Sequence, residues 1–430
     1  MHDDKRLIED YLPIEAISAE ASREKSVRKG HISTLHLWWA RRPLVACRAA
    51  VYGALVPASQ FVPNGASDDK KKSLGRANAA KFVKRLCQYP SDAKPEQKAD
   101  IERATREAQR HILEAHAERL TRETGKKVTA DDISAGRAPR PRVLDMFAGG
   151  GAIPLEASRL GCEAYALDLN PVAHIIELCT LVYPQKYGKP DPSTGGMAGP
   201  KNQNGGATWG GLAEEVRHWG NKVLAKVKAE IGDLYPPIPD PAHKGKRPEL
   251  QNDWIREHHT HDVPQLDSFT CKTHLYGMTK WSDLFAPRQL LCLLSFAAAV
   301  RQTEKEITTE SRPDERAKAV LTLLAVLVDR LSDFNSSLCT WNYTGGRGVL
   351  HTFSRQALPM VWDFAETNPF NPDAASWVSG VEDVPSVFET AQSTLPAQVA
   401  RGSGIKHLPH RPKTRRRPNR QLRRARPPRT

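Results

Sequence analysis

The stretch RVLDMFAGGGAIPLEASRLGCEAYALDLN, residues 142–170, decides the fold of this chain. It predicts a buried strand at Val143–Phe147, followed by a glycine turn and a helix that Gly161 closes. A second strand is predicted at Ala164–Leu167 and ends at Asp168. Strand, glycine loop, helix and strand follow one another in the units that hold a nucleoside-bearing cofactor at the edge of a parallel sheet. The stretch therefore predicts an α/β fold, a doubly wound parallel sheet with helical insertions.

The charges around the glycine loop favour S-adenosylmethionine over a nucleotide carrying phosphates. Asp145 lies just before Gly149–Gly151, where a carboxylate repels a pyrophosphate and attracts a cation. S-adenosylmethionine carries a sulfonium and an ammonium and no phosphate. Pro154 stands where a dinucleotide loop needs Gly or Ala, and no Gly-Lys-Ser/Thr follows as in a Walker loop. Asp168 comes about 20 residues after the first glycine, where an acidic side chain is expected to meet ribose hydroxyls. A strand–turn–helix crossover without a ligand is the alternative.

The basic charge of the chain is concentrated at its C-terminal end. The 430 residues have a formal net charge of +14, and residues 401–430 contain twelve Lys and Arg and no acid. We expect this Arg/Pro-rich tail to be disordered and to bind polyanions without sequence specificity. The rest of the chain is therefore almost neutral.

Several classes of protein are disfavoured by composition. No apolar run approaches the ~20 residues that span a membrane, and the N-terminus lacks a signal-peptide core. The seven cysteines form no CxxC pair, which is typical of reduced thiols. We expect a cytoplasmic protein with no membrane partner. We also expect no bound metal, although His259-x-His261 with Cys271-x-x-His274 is an alternative on spacing alone.

Composition also divides the chain into six parts. They are an N-terminal domain at 1–56, a charged helical insertion at 57–140, the cofactor-binding core at 141–187, an insertion or target-recognition region at 188–340, a return to the core at 341–400, and the tail at 401–430. Apolar periodicity predicts helices at Leu44–Leu55, Pro95–Arg122, Gly211–Ile231, Thr279–Ile307 and Ala317–Phe334.

Four motifs resemble one family in the same order. SREKSVRKGHISTLHLWWARRPL, residues 22–44, resembles the opening domain of the large prokaryotic adenine-specific DNA methylases that contain a zinc ribbon. The same family is resembled by DMFAGGGAIPLEA at 145–157, YGMTKWSDLFAPRQL at 276–290 and FSRQALPMVWDFAE at 353–366. The first two motifs are the specific ones. The resemblance covers roughly residues 8–400, with gaps.

This resemblance implies a Rossmann-like methyltransferase sheet and methyl transfer from S-adenosylmethionine to the exocyclic amine of a flipped adenine in DNA. Such enzymes serve restriction-modification or phage defence. The resemblance implies a cofactor loop formed by Asp145, Phe147, Gly149 and Gly151, ribose contacts by Asp168, and an adenine border formed by Asn170 and Pro171. It implies that the methionine end is flanked by His31, Ser33, Thr34, Arg42 and Pro43. Trp38 and Trp39 are expected as core or interface aromatics.

Two parts of the family pattern are missing. Amino-methylases carry an Asp/Asn/Ser-Pro-Pro-aromatic loop that binds the target amine and stacks on the flipped base. Asn368-Pro369-Phe370 lacks the second proline and Tyr235-Pro236-Pro237-Ile238 lacks the polar head, so both are interpreted as prolyl loops without a catalytic role. The paired CxxC ligands of a zinc ribbon are also absent. No catalytic residue is assigned, and we expect a methylase portion truncated before its catalytic motif.

Three functions remain open from the sequence. The first is the DNA methylase, truncated before its catalytic motif. The second is a non-catalytic cofactor- or DNA-binding subunit of a modification or phage-defence complex, in which a second polypeptide carries the catalytic motif. The third is methylation of RNA or protein, because residues 190–340 show no helix-turn-helix and no basic recognition face.

Overall fold

The computed structural model of the protein describes residues 5–27, 30–63, 68–90, 95–188, 211–235, 275–309, 314–341, 349–354, 357–358, 360–372, 375–392 and 395–402. Four sequence predictions fall outside these ranges. They concern the tail beyond residue 402, the prolines at 236–237, the pair His259 and His261, and the pair Cys271 and His274.

Helices make up most of the described structure. Those before the sheet are α1 (Leu7–Asp10), α2 (Ile14–Lys25), α3 (Leu44–Leu55), α4 (Asp68–Leu86), α5 (Pro95–Thr124) and α6 (Ala130–Ser134). Those that follow its first strand are α7 (Ala152–Arg159), α8 (Pro171–Glu177), α9 (Tyr183–Tyr187), α10 (Leu212–Ile231), α11 (Pro287–Thr309), α12 (Asp314–Phe334) and α13 (Trp377–Ala391). Short 3-10 turns lie at Ile32–Thr34, Ala58–Phe61, Gly232–Leu234 and Trp281–Leu284.

A small parallel sheet lies beside these helices. Its strands are β1 (Arg142–Asp145), β2 (Glu163–Asp168) and β3 (Gln398–Arg401), in the spatial order β1-β2-β3. In the register, Asp145 lies opposite Ala166 and Asp168 lies opposite Arg401. The described chain is thus mostly helical with a three-stranded parallel sheet, which agrees with the α/β class. Because the strands are parallel, their carboxyl ends meet at one edge, where the glycine loop begins.

The predicted elements can be compared one by one. Helix α3 has the predicted bounds, and α5, α10 and α12 cover the predicted helices to within three residues. Strand β1 ends earlier than predicted, because the Asp145 carboxylate accepts a hydrogen bond from the Phe147 N–H over 3.0 Å and turns the chain. The prediction for α11 was wrong at its start. Asp283 binds the N–H groups of Thr279 and Lys280 in a separate 3-10 turn, so α11 begins at Pro287.

One main apolar core connects the N-terminal helices, the sheet and the later helices. Its buried members include Tyr52 on α3, Leu155 on α7, Trp219 on α10, Phe296 on α11 and Phe388 on α13. The N-terminal helices therefore pack in the same core as the glycine unit, so the two can form one site. No helix among the described residues is long and apolar enough to cross a membrane.

Candidate functional site

The glycine loop between β1 and α7 requires glycine for two reasons. Gly149 and Gly151 have φ angles of +53° and +79°, in the left-handed region that side chains rarely adopt. Space is also short, because a Cβ on Gly149 would collide with the indole nitrogen of Trp38. A Cβ on Gly151 would lie 3.1 Å from the side chain of Leu181. Both glycines are therefore fixed by conformation and by close neighbours.

Asp168 holds this loop in place from the end of β2. Its carboxylate accepts hydrogen bonds from the Gly149 N–H and the Asn170 N–H, each over 2.9 Å. Asn170 in turn caps α8 by accepting from the Val172 N–H over 2.9 Å, and Pro171 occupies the first helical turn. Each carboxylate oxygen of Asp168 retains acceptor capacity for a hydroxyl donor of a ligand.

Asp145 and an exposed apolar rim complete the loop. Burial raises the pKa of Asp145, and the nearby Asp168 carboxylate adds to this rise. The Phe147 side chain is 83% exposed, and Met146 and Leu169 are exposed beside it. These three apolar side chains give the loop a surface on which a flat ligand can lie.

Glu177 is a third carboxyl near the loop, and the sequence interpretation did not include it. It is the last residue of α8 and is completely buried. Burial raises its pKa to about 8, and the Asp168 and Asp145 carboxylates contribute to the rise. A single acid inside the apolar run at 175–182 was the available signal.

The Trp38–Trp39 pair connects the N-terminal segment to this loop. Trp38 packs over Gly149 and Gly150. Trp39 stacks on Trp38 with 6.4 Å between ring centroids, and its indole N–H donates to the carbonyl of Phe353 over 2.6 Å. The structure therefore brings the two most specific motifs of the sequence together, although they are about 100 residues apart.

His31 holds the N-terminal segment in place and offers neither ring nitrogen to a ligand. Its Nε2 is 2.9 Å from the Glu24 carboxylate and its Nδ1 is 2.8 Å from the Ser33 hydroxyl. The Glu24 carboxylate also accepts from the N–H groups of Leu44 and Val45 at the start of α3. The buried ring of His31 is therefore fully used within the protein, and its predicted cofactor contact stays a prediction.

The other predicted residues of this segment divide into two groups. Ser33 and Thr34 line a cavity together with Asn170. Arg42 is exposed, and Pro43 precedes α3 as its N-cap. Among the described residues, neither Arg42 nor Pro43 lines this cavity.

The cavity has a volume of about 850 Å³ and lies between the N-terminal segment, α12 and residues 349–353. Its wall combines aromatic rings with polar groups. The aromatic part includes Trp38, Trp39, Trp281, Phe334 and Phe353. This combination suits a planar ligand that also donates hydrogen bonds.

Two His–Asp pairs face this cavity from adjacent turns of α12. The Asp333 carboxylate is 2.6 Å from Nδ1 of His351. Asp329 is 3.7 Å from Nε2 of His36. Burial by itself lowers the pKa of His36, but the Asp329 carboxylate and the Leu37 carbonyl outweigh it and raise the pKa. The His36–Asp329 pair can therefore hold a proton at the cavity wall.

The Asn368-Pro369-Phe370 stretch is part of the helical packing. The Asn368 side chain accepts from the Phe370 N–H over 3.0 Å, as in an Asx turn. The Phe370 ring packs against Tyr235 with 5.5 Å between ring centroids. Within the described ranges, no group of three or more His, Cys, Asp or Glu is arranged to hold a metal ion.

Comparisons with known proteins give one match. A family model described as a protein of unknown function (DUF1156) matches residues 11–82. This match includes the Trp38–Trp39 pair and ends before the glycine loop. No curated protein matches the chain, and no solved structure matches it.

Proposed function

We propose that this chain is the cofactor-binding portion of a Rossmann-like, S-adenosylmethionine-dependent methyltransferase that acts on the exocyclic amine of adenine in DNA. The observation that carries the proposal is the carboxyl-rich glycine loop. Asp145 and Asp168 lie at the carboxyl ends of adjacent parallel strands, and Gly149 lies between them in the chain. This edge favours a cationic nucleoside ligand and disfavours a phosphate.

The residues fit the cofactor in three ways. Asp168 has acceptor capacity for ribose hydroxyls, and Asn170 lies beside it for the adenine. Gly149 and Gly151 supply the positive φ angles with which the loop turns beside Asp168. The fully buried Glu177 has no hydrogen-bond partner on either oxygen within the described chain, so a cation bound close to it would stabilise its ionised form. When bound, S-adenosylmethionine supplies an activated methyl group, and the protein contributes mainly positioning.

The free edge of β1 supports completion of the site by another strand. Strand β2 pairs with one side of β1, and no described strand pairs with the other. Leu144 on β1 is 42% exposed, and Val172 and Ile175 on α8 are also exposed. Strands of parallel sheets are normally buried on both faces. We infer that a strand from a second polypeptide pairs with β1 and brings the amine-binding motif.

A second candidate is favoured by the same free edge. A chain that binds the cofactor and contributes no chemistry would act as a subunit of a modification or phage-defence complex. In the first candidate the methyl group is transferred from the S-adenosylmethionine bound by this chain, and in the second this chain takes no part in methyl transfer.

Cofactor binding is tested by calorimetric titration of S-adenosylmethionine into the full chain, into Asp168→Asn and into a matched control, Asp131→Asn. Asp131 is exposed on α6, away from the sheet. We expect binding by the parent and the control and at least tenfold weaker binding by Asp168→Asn. Absence of binding in the parent would refute the proposal.

Completeness of the active site is tested by methyl transfer from labelled S-adenosylmethionine to DNA by the purified chain. We expect little or no transfer without a partner. Robust methylation by the chain alone would refute the requirement for another strand.

A further inference from the structure

Glu177 has an environment that a folded protein rarely tolerates without a ligand. Its side chain is completely buried, and neither carboxyl oxygen has a hydrogen-bond partner in the described part of the chain. An unpaired buried carboxyl destabilises a protein unless it is protonated or meets a cation. Two further carboxyls, those of Asp145 and Asp168, lie close enough to act on it electrostatically. The Glu177 carboxyl therefore stays protonated unless a cation is bound close to it.

The position of Glu177 connects it to the glycine loop. It precedes a single π turn at Leu178–Val182, a distortion that occurs frequently at functional sites. Leu181 in this turn packs against Gly151 of the loop. Glu177 therefore belongs to the segment that supports the loop from inside the protein.

The other ionisable groups around Glu177 do not neutralise it. His174 on the same helix has a pKa that burial lowers, and Arg401 at the end of β3 lowers it further. Cys179 in the π turn is a buried thiol and stays neutral. Arg401 lies opposite Asp168 in the sheet register and is not paired with Glu177. The net charge facing the loop from β1, β2 and α8 is negative.

We propose that Glu177, acting with Asp145 and Asp168, selects the sulfonium form of the cofactor over its neutral thioether product. This inference rests on the proposed function. Before transfer the cofactor carries a positive charge on sulfur. In the transfer the lone pair of the acceptor nitrogen forms the new bond to the methyl group, sulfur regains the electron pair of the broken bond and becomes neutral, and the methylated nitrogen releases a proton to solvent. The carboxyls then lose their counter-charge, which favours release of the product.

The experiment compares the affinities of S-adenosylmethionine and S-adenosylhomocysteine for the full chain, Glu177→Gln and a control, Glu163→Gln. Glu163 lies at the opposite end of β2 and is paired with Arg142 at the surface. We expect the parent and the control to bind S-adenosylmethionine more tightly than S-adenosylhomocysteine. In Glu177→Gln we expect the ratio of these two affinities to be about tenfold smaller. Titration near pH 7 in two buffers of different ionisation enthalpy should also show proton release on sulfonium binding, reduced in Glu177→Gln.

The outcomes separate the two claims. An unchanged preference in Glu177→Gln overturns the inference and leaves the proposed function standing. An equal loss of affinity for both ligands in Glu177→Gln also overturns the inference, because a merely structural role would produce that result. Binding of neither ligand by the parent overturns the proposed function itself. A cooperative unfolding transition at pH 5 verifies that each variant is folded. At this pH Glu177→Gln should fold as the parent does, because glutamine has the shape and charge of a protonated glutamic acid.

Discussion

The Asp168 carboxylate accepts a hydrogen bond from the Gly149 N–H over 2.9 Å, which ties the end of β2 to the loop after β1. The residue assigned to the ribose therefore also shapes the glycine loop. We expect Asp168→Ala to lose about 2 to 3 kcal/mol of unfolding free energy in urea, because the N–H groups of Gly149 and Asn170 lose a charged acceptor. Asp168→Asn keeps one oxygen acceptor and should lose less. Equal losses in the two variants would contradict this dual role.

The contact between Gly149 and Trp38 provides a second test, because the effects of backbone strain and of steric collision on stability can be measured separately there. Gly149→Ala adds strain from a positive φ and a collision with Trp38, whereas Gly125→Ala, with φ +68°, adds strain alone because nothing lies within 4 Å. We expect Gly125→Ala to destabilise by about 1 kcal/mol and Gly149→Ala to destabilise by clearly more. In a Trp38→Ala background the excess should disappear. Similar urea midpoints for the two alanine variants would show that Trp38 does not restrict the loop.

The sheet unit was predictable because its signals are local. The glycine loop, the helix α7 and the closing Gly161, which has φ +81°, all follow from neighbouring residues between 142 and 170. Strand β3 at 398–401 was not predicted as an element, because a four-residue strand carries no distinctive pattern. Its place beside β2 depends on how the intervening helices pack.

The candidate site was predictable only in part, because some of its contacts join residues that are distant in the chain. Asp168 and Asn170 follow a strand directly, so their neighbourhood could be inferred from the chain. The contact between Trp38 and Gly149 joins distant residues, and the burial of Glu177 appears only when α8 packs on the sheet. The pairing of His31 with Glu24 could not be inferred from the sequence, because it depends on how the 3-10 turn at Ile32–Thr34 lies beside α2.

The buried ion pair between Arg48 and Glu156 provides a third test, of the connection between α3 and α7. The Arg48 Nε donates to the Glu156 carboxylate over 2.6 Å, and Glu156 is completely buried. Removal of one partner leaves a buried charge with weaker compensation, so we expect Arg48→Met to destabilise by about 3 to 5 kcal/mol. The control is Arg142→Met, which breaks a surface pair with Glu163 and should change stability by about 0.5 kcal/mol or less. Thermal or urea unfolding gives both values; a small change for Arg48→Met would mean that the two helices are held by apolar packing alone.

Glu177 makes stability fall with rising pH, and this gives the fourth prediction. Its pKa in the folded protein is about 8, above the ordinary value of 4.5, so between these pH values the folded state binds more protons than the unfolded state. Stability from this group is therefore complete at low pH and is lost as pH rises through this window toward 8. We expect Glu177→Gln to differ from the parent by less than about 1 kcal/mol at pH 5 and to become more stable than the parent at pH 7 and 9, by at most about 1.4 kcal/mol for each pH unit within the window. Urea unfolding at these three pH values checks the difference, with Glu163→Gln as the control that should not diverge. Parallel pH profiles for Glu177→Gln and the parent would mean that a partner neutralises Glu177 in the ligand-free protein.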